Sequence, residues 1–197
     1  MKLESRSRRV PMKHFATVAL MFNLGVAGVY AQQVTMTFSG TAATSTINLQ
    51  QTGTNNSEDN SAGNGTLGPF TFRNVRAIRA SPEPSSTCSG PTQLYFSSAA
   101  GAGVFRFQDG SLLKVNLTQA GDCIDLAARE ARCTMTFQIT GGTGRFKDAS
   151  GMVTLTETVL PVLADASNNP VFFAATGEFT GTVSGVAVEE EPQDGRR

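Results

Sequence analysis

From Thr134 to Thr140 apolar and polar side chains alternate without a break: Met135, Phe137 and Ile139 fall on one face, Thr134, Thr136, Gln138 and Thr140 on the other. A two-residue period marks a strand with one dry face and one wet face. Similar short runs, separated by Gly, Asn, Asp and Pro, recur along the chain, and no segment sustains an apolar period of 3.6 residues. The chain is therefore expected to be all-β. Strands are expected at Val34 to Gly40, Thr44 to Gln50, Pro69 to Ile78, Thr92 to Ser97, Gly103 to Gln108, Leu112 to Gln119, Cys133 to Thr140, Val153 to Leu163 and Val171 to Val183. Eight or nine strands in one domain, residues 32–188, suit an antiparallel barrel, with a β-sandwich as the alternative. The polar, Gly-rich stretch Thr52 to Thr66 reads as a mobile loop, and Glu189 to Arg197 as a disordered charged tail.

The first 31 residues read differently. Met1 to Lys13 is basic, Phe15 to Val29 is apolar but short for a membrane span, and Val29-Tyr30-Ala31 supplies the small residues a signal peptidase needs. A cleaved export signal is expected, with Gln32 first in the mature chain and a secreted or periplasmic destination in a bacterium. Ser7 to Lys13 resembles a twin-arginine motif, although Pro11 stands where that motif places an aromatic residue. The segment takes with it five of the 16 basic residues, one of the 16 acidic ones and the only histidine, His14. What is left has 11 basic and 15 acidic side chains, a net charge of −4. Nucleic acid is therefore not an expected partner, and with no later apolar run of 18 residues neither is membrane insertion. Without histidine, Ser-His and Cys-His nucleophiles and His-ligated zinc are excluded together. Asp122, Asp125, Glu130 and Asp165 are dispersed with no calcium-loop spacing, so no metal or other cofactor is expected.

One turn tests the register. Phe105 and Phe107 must share a face with Leu113, Val115 and Leu117, yet a two-residue Asp109-Gly110 loop would place Lys114 in the core. An odd-length loop such as Asp109 to Ser111 is expected, pairing Phe107 with Leu113. Following the meander up and down brings Cys123 and Cys133 together at one end of a hairpin and leaves Cys88 at the other. A Cys123 to Cys133 disulfide is expected, consistent with an oxidising compartment. Cys88 is left to pair between chains, giving an oligomer, or to remain a buried thiol.

The segment Ile139-Thr140-Gly141-Gly142-Thr143-Gly144-Arg145-Phe146, with Ala149-Ser150-Gly151 and the Thr-rich run Val153 to Thr156, resembles the strand-turn-strand signature of allene oxide cyclases and dirigent proteins. The resemblance spans residues 139–156 and implies an eight-stranded calycin-like barrel. Such proteins act on apolar substrates largely by shape, with few polar groups. At the corner itself, Gly141, Gly142 and Gly144 permit positive φ, Phe146 can plug the barrel end, and Arg145 can lie across the rim.

Among candidate site residues Glu157 is the most unusual, because it continues the phase of Val153, Leu155 and Val159 and would face the interior of an unbroken strand. A buried carboxylate needs a partner, so the cheaper outcome is a bulge between Thr154 and Thr158, or a place on the rim, that returns it to water. Tyr95, Phe105, Phe107, Phe137 and Glu157 are the candidate ligand contacts, and Glu157 the sole candidate for catalysis. Arg73, Arg76 and Arg79 read as solvated charges guarding a sheet edge. These observations favour an exported barrel that binds a small apolar ligand or serves as a structural or interaction module without covalent chemistry. The alternatives are an allene oxide cyclase-like isomerase, as the resemblance implies, and a surface-adhesion sandwich.

Overall fold

The computed structural model describes residues 31–46 and 53–187. The expected signal segment, apart from Ala31, and the charged tail lie outside the described residues, as does most of the expected strand Thr44 to Gln50. Eight strands form one closed antiparallel barrel: β1 (Gln32–Ser45), β2 (Thr54–Gly65), β3 (Phe70–Arg79), β4 (Gln93–Phe107), β5 (Leu112–Asp125), β6 (Glu130–Gly142), β7 (Ser150–Ala164) and β8 (Pro170–Ser184). Each pairs with its neighbour in the chain, and β8 closes on β1 from Gln32↔Val183 to Ala43↔Phe172. Closure rules out the sandwich and leaves no edge for Arg73, Arg76 or Arg79 to guard. Outward positions are mostly Thr, Ser, Gln, Lys and Arg, the reverse of the apolar band a membrane barrel turns to lipid.

Two departures from the expected strand plan have local causes. The stretch Thr54–Gly65 is strand β2, although Ala62 is its only apolar side chain. Its ladders to β1 and β3 hold it extended, and its inward residues Ser57, Asp59 and Ser61 are buried. Likewise, Ser97 to Gly103 is not a turn but the middle of the single strand β4. The glycines there serve packing: a Cβ on Gly103 would stand 2.7 Å from the Phe72 ring, and one on Gly101 3.0 Å from Arg76 Cβ. The small side chains of β4 make room for large ones reaching across from β3. The β4–β5 turn has odd length as expected, but its register is two residues away from the expected one: Phe105, not Phe107, pairs with Leu113, and Lys114 stays outside opposite Val104.

The barrel is sealed at one end and open at the other. Phe72, Phe105 and Phe179 meet with centroids 4.3 to 5.0 Å apart, and Phe137 packs 5.8 Å from Phe72. Beyond them Phe146, on a 3₁₀ turn at Gly144–Phe146, fills the end against Phe107 at 4.7 Å. Arg145 lies across this plug, 4.6 Å above the Phe146 ring and 5.0 Å above that of Phe107, and is held by the Leu67 carbonyl and by Asp109 at 3.0 Å. Gly141 and Gly144 take φ of 95° and 57° to make the corner. Gly142 instead lets the Leu112 carbonyl approach to where a Cβ would be.

The disulfide joins Cys88 to Cys123, not Cys123 to Cys133. The cause is a bulge. Leu117 pairs with Phe137 but Gln119 with Thr136, so the phase of β5 slips at Thr118, whose hydroxyl donates to the Thr136 carbonyl. Past the slip, Ala120 and Asp122 face inward and Cys123 outward, while Cys133, paired with Asp122, points into the lumen. Because β4 is one strand, Cys88 lies at the same end as Cys123. The 80–92 loop folds over the outer face there through a Glu83–Tyr95 bridge, and Cys88 is buried. Peptide mapping without reductant should recover a Cys88–Cys123 peptide, with Cys133 unlabelled by thiol reagents until the protein unfolds. Because the bridge closes a loop of 35 residues, reduction should lower unfolding stability by about 3–4 kcal/mol in a urea titration.

Candidate functional site

The interior is layered, and one layer is polar. Beginning at β3, the inward series Phe70, Phe72, Asn74, Arg76, Ile78 runs from the aromatic core to the open end. Arg76 is 5% exposed. Its Nη1 donates to both oxygens of Asp122 on β5, at 2.7 and 2.8 Å, and its Nε lies 3.7 Å from Asp59 Oδ2 on β2. Cys133 on β6 stands opposite Asp122 on one side and Glu157 of β7 on the other. Glu157 is 7% exposed and β7 runs through it without a bulge, so the strand phase carries the carboxyl into the barrel. Ser57 and Asn74 complete the layer.

This set is unbalanced. Asp59, Asp122 and Glu157 share a single guanidinium, and Glu157 Oε1, Asp59 Oδ2 and Asn74 Oδ1 have no hydrogen-bond partner. Burial opposes ionisation of Glu157, Asp59 adds to the effect and Arg76 only partly offsets it, raising its pKa to about 8. Burial also raises Asp59, against the pull of Arg76. For Arg76 itself burial is outweighed by Asp122 and Asp59, so the guanidinium stays charged. The Cys133 thiol is pushed well up by burial and then by the Asp122 charge, which makes it a poor nucleophile.

Directly above this layer, toward the open end, lies a cavity of about 390 Å³. Its wall repeats the polar layer one step further along each strand: Asn55 is two residues from Ser57, Ile78 from Arg76, Ile124 from Asp122, Ala131 from Cys133 and Val159 from Glu157. Phe96 and Phe173 close the remaining sides, and Asp122 itself reaches the floor. The mouth carries both signs of charge, with Arg79 and Arg129 beside Asp125 and Glu130. Leu160, Val162 and Leu163 on β7 and Leu126 in the β5–β6 turn are exposed at this end.

The expected site residues are distributed unevenly over this geometry. Glu157 faces the interior. Phe105, Phe107 and Phe137 do not line the cavity: they are 0–3% exposed and fill the sealed end. Tyr95 does not line it either, for it pairs with Cys123 on the outer face and covers Gly121. The residues at the corner, Gly141, Gly142, Gly144, Arg145 and Phe146, belong to the plug. Sequence reasoning missed Arg76, Asp59 and Asp122. For Arg76 the signal was present, since Phe70 and Phe72 set an inward phase that includes it. Asp122 was hidden by the bulge at Thr118, and Asp59 by a strand without apolar residues.

A carboxyl whose pKa is raised on folding keeps a proton that the unfolded chain gives up. Glu157, and Asp59 with the same sign, should therefore make stability fall as pH rises from about 4.5 toward 8. Glu157→Gln should flatten that fall by on the order of a few kcal/mol when urea unfolding is compared at pH 5 and pH 8. An unchanged slope would mean that Glu157 titrates as a solvated carboxyl.

No protein-family model matches this chain, and no curated protein sequence matches it; what the interior can do is read from its own geometry.

Proposed function

We propose that this barrel is an exported binding protein that holds a small apolar molecule in its mouth cavity without covalent chemistry. The observation that carries the reading is the cavity itself. The other end of the lumen is packed with phenylalanine, yet here about 390 Å³ stays open behind Ile78, Phe96, Ile124, Val159 and Phe173. That volume lies at the small end of the range for ligand pockets, and a mostly apolar wall with few convergent polar groups is the usual composition of one. The disulfide fits work in an oxidising compartment outside the cytoplasm, in keeping with the basic and apolar N-terminal segment.

One observation favours a second reading, an isomerase of the allene oxide cyclase kind suggested by the corner motif. Glu157 is buried, and its raised pKa leaves it largely protonated at neutral pH, as a general acid would be. Equal turnover of an unsaturated epoxide by wild type and Glu157→Gln would remove that reading.

The binding reading is tested by filling the cavity. Ala131→Phe places a ring in the wall above Cys133, away from the aromatic core. An apolar fluorescent probe that brightens in the wild-type protein should lose at least ~10-fold in affinity in this variant, with circular dichroism unchanged. Equal probe binding by both proteins would place the probe elsewhere and defeat the proposal.

A further inference from the structure

We infer that the floor of the cavity selects the head group of its ligand, favouring a cationic hydrogen-bond donor, the ammonium of an apolar amine, over a carboxylate. The inference rests on the binding reading and adds a chemical class to it. The polar layer has a surplus of acceptors: Glu157 Oε1 and Asn74 Oδ1 are buried without a hydrogen-bond partner, Asp59 Oδ2 has only its long ion pair to Arg76 Nε, and Asp122 opens onto the cavity floor. An anion entering from above finds the one cation taken, because Arg76 is held by both oxygens of Asp122 and its Nε faces Asp59. It would meet the Asp122 carboxylate at the floor, in a low-dielectric interior where like charges repel strongly. An ammonium on the floor brings donors to Asp122 and sets a positive charge above the carboxyls of the layer, which favours their ionised forms. The mouth adds no opposing selection, since its arginines and acids are mixed.

Every charged or titratable group of the layer beneath the floor shares in the response: Asp59 from β2, Arg76 from β3, Asp122 from β5, which alone lines the cavity, Cys133 from β6 and Glu157 from β7. Because burial keeps Glu157 largely protonated near neutrality, an arriving ammonium should expel a proton as the carboxylate forms beside it.

Titration calorimetry of the oxidised mature chain at pH 7 would use three probes with the same alkyl chain, decylamine, decanol and decanoate, each below its aggregation limit. Repeating the amine titration in buffers of different ionisation enthalpy counts protons released. The expected result is decylamine binding at least ~10-fold tighter than decanoate, with a proton released on amine binding that Glu157→Gln abolishes. Decanoate binding as tightly as the amine, or amine binding without proton release, would overturn the head-group inference while leaving a ligand in the cavity. No binding of any probe, decanol included, would overturn the binding reading beneath it. Ala131→Phe separates cavity binding from attraction to the acidic surface: an amine affinity unchanged by that substitution would also overturn the inference.

Discussion

Closing a sheet on itself satisfies the backbone hydrogen bonds of every strand, and the same act creates an interior that side chains must fill. Everything distinctive about this barrel follows from how that filling changes along its axis. At the sealed end large rings interlock, and Gly103 in β4 vacates space for Phe72. In the middle β2 contributes an inward stripe of Ser and Asp where β3 contributes Asn and Arg and β5 contributes Asp. At the far end the inward residues no longer meet across the lumen, and a cavity remains.

The polar layer is a costly arrangement. A buried ion pair seldom adds net stability, and removing one partner of such a pair is strongly destabilising because the other is then buried uncompensated. Here Arg76 and Asp122 offset each other, but Asp59 and Glu157 stay buried, each with an oxygen that accepts no hydrogen bond. A hydrophobic layer would fill the same space at less cost, so the excess of acceptors beneath an open cavity is the feature of the fold that packing alone does not require. It also ties stability to protonation, which a barrel cored only by phenylalanine would not do.

Legibility followed the strength of alternation. Where apolar residues recur at every second position, as in Met135, Phe137 and Ile139, orientation came directly from the pattern, and Glu157 could be placed in phase with Val153 and Leu155. Where a strand lacks apolar residues, as in β2, no pattern exists to read. Where a bulge intervenes, as at Thr118, the pattern misleads, and one slipped residue turned Cys123 outward and Asp122 inward, which cost the disulfide assignment. Reading Ser97 to Gly103 as a turn had the same origin, because small residues mark both a reversal and a place where a neighbour needs room.

By itself the sequence determined the all-β class, the number of strands to within one, the Gly-rich corner with its Arg145 and Phe146 plug, and that the one histidine, His14, precedes the strands. These depend on short-range periodicity and composition, which survive without knowledge of partners. Only the tertiary structure decided which end of the lumen is open, that Arg76, Asp59, Asp122 and Glu157 share one layer, and that Cys88 rather than Cys133 meets Cys123. Those outcomes depend on register between strands, and register is set by bulges and cross-barrel fit, quantities that exist only once the sheet has closed.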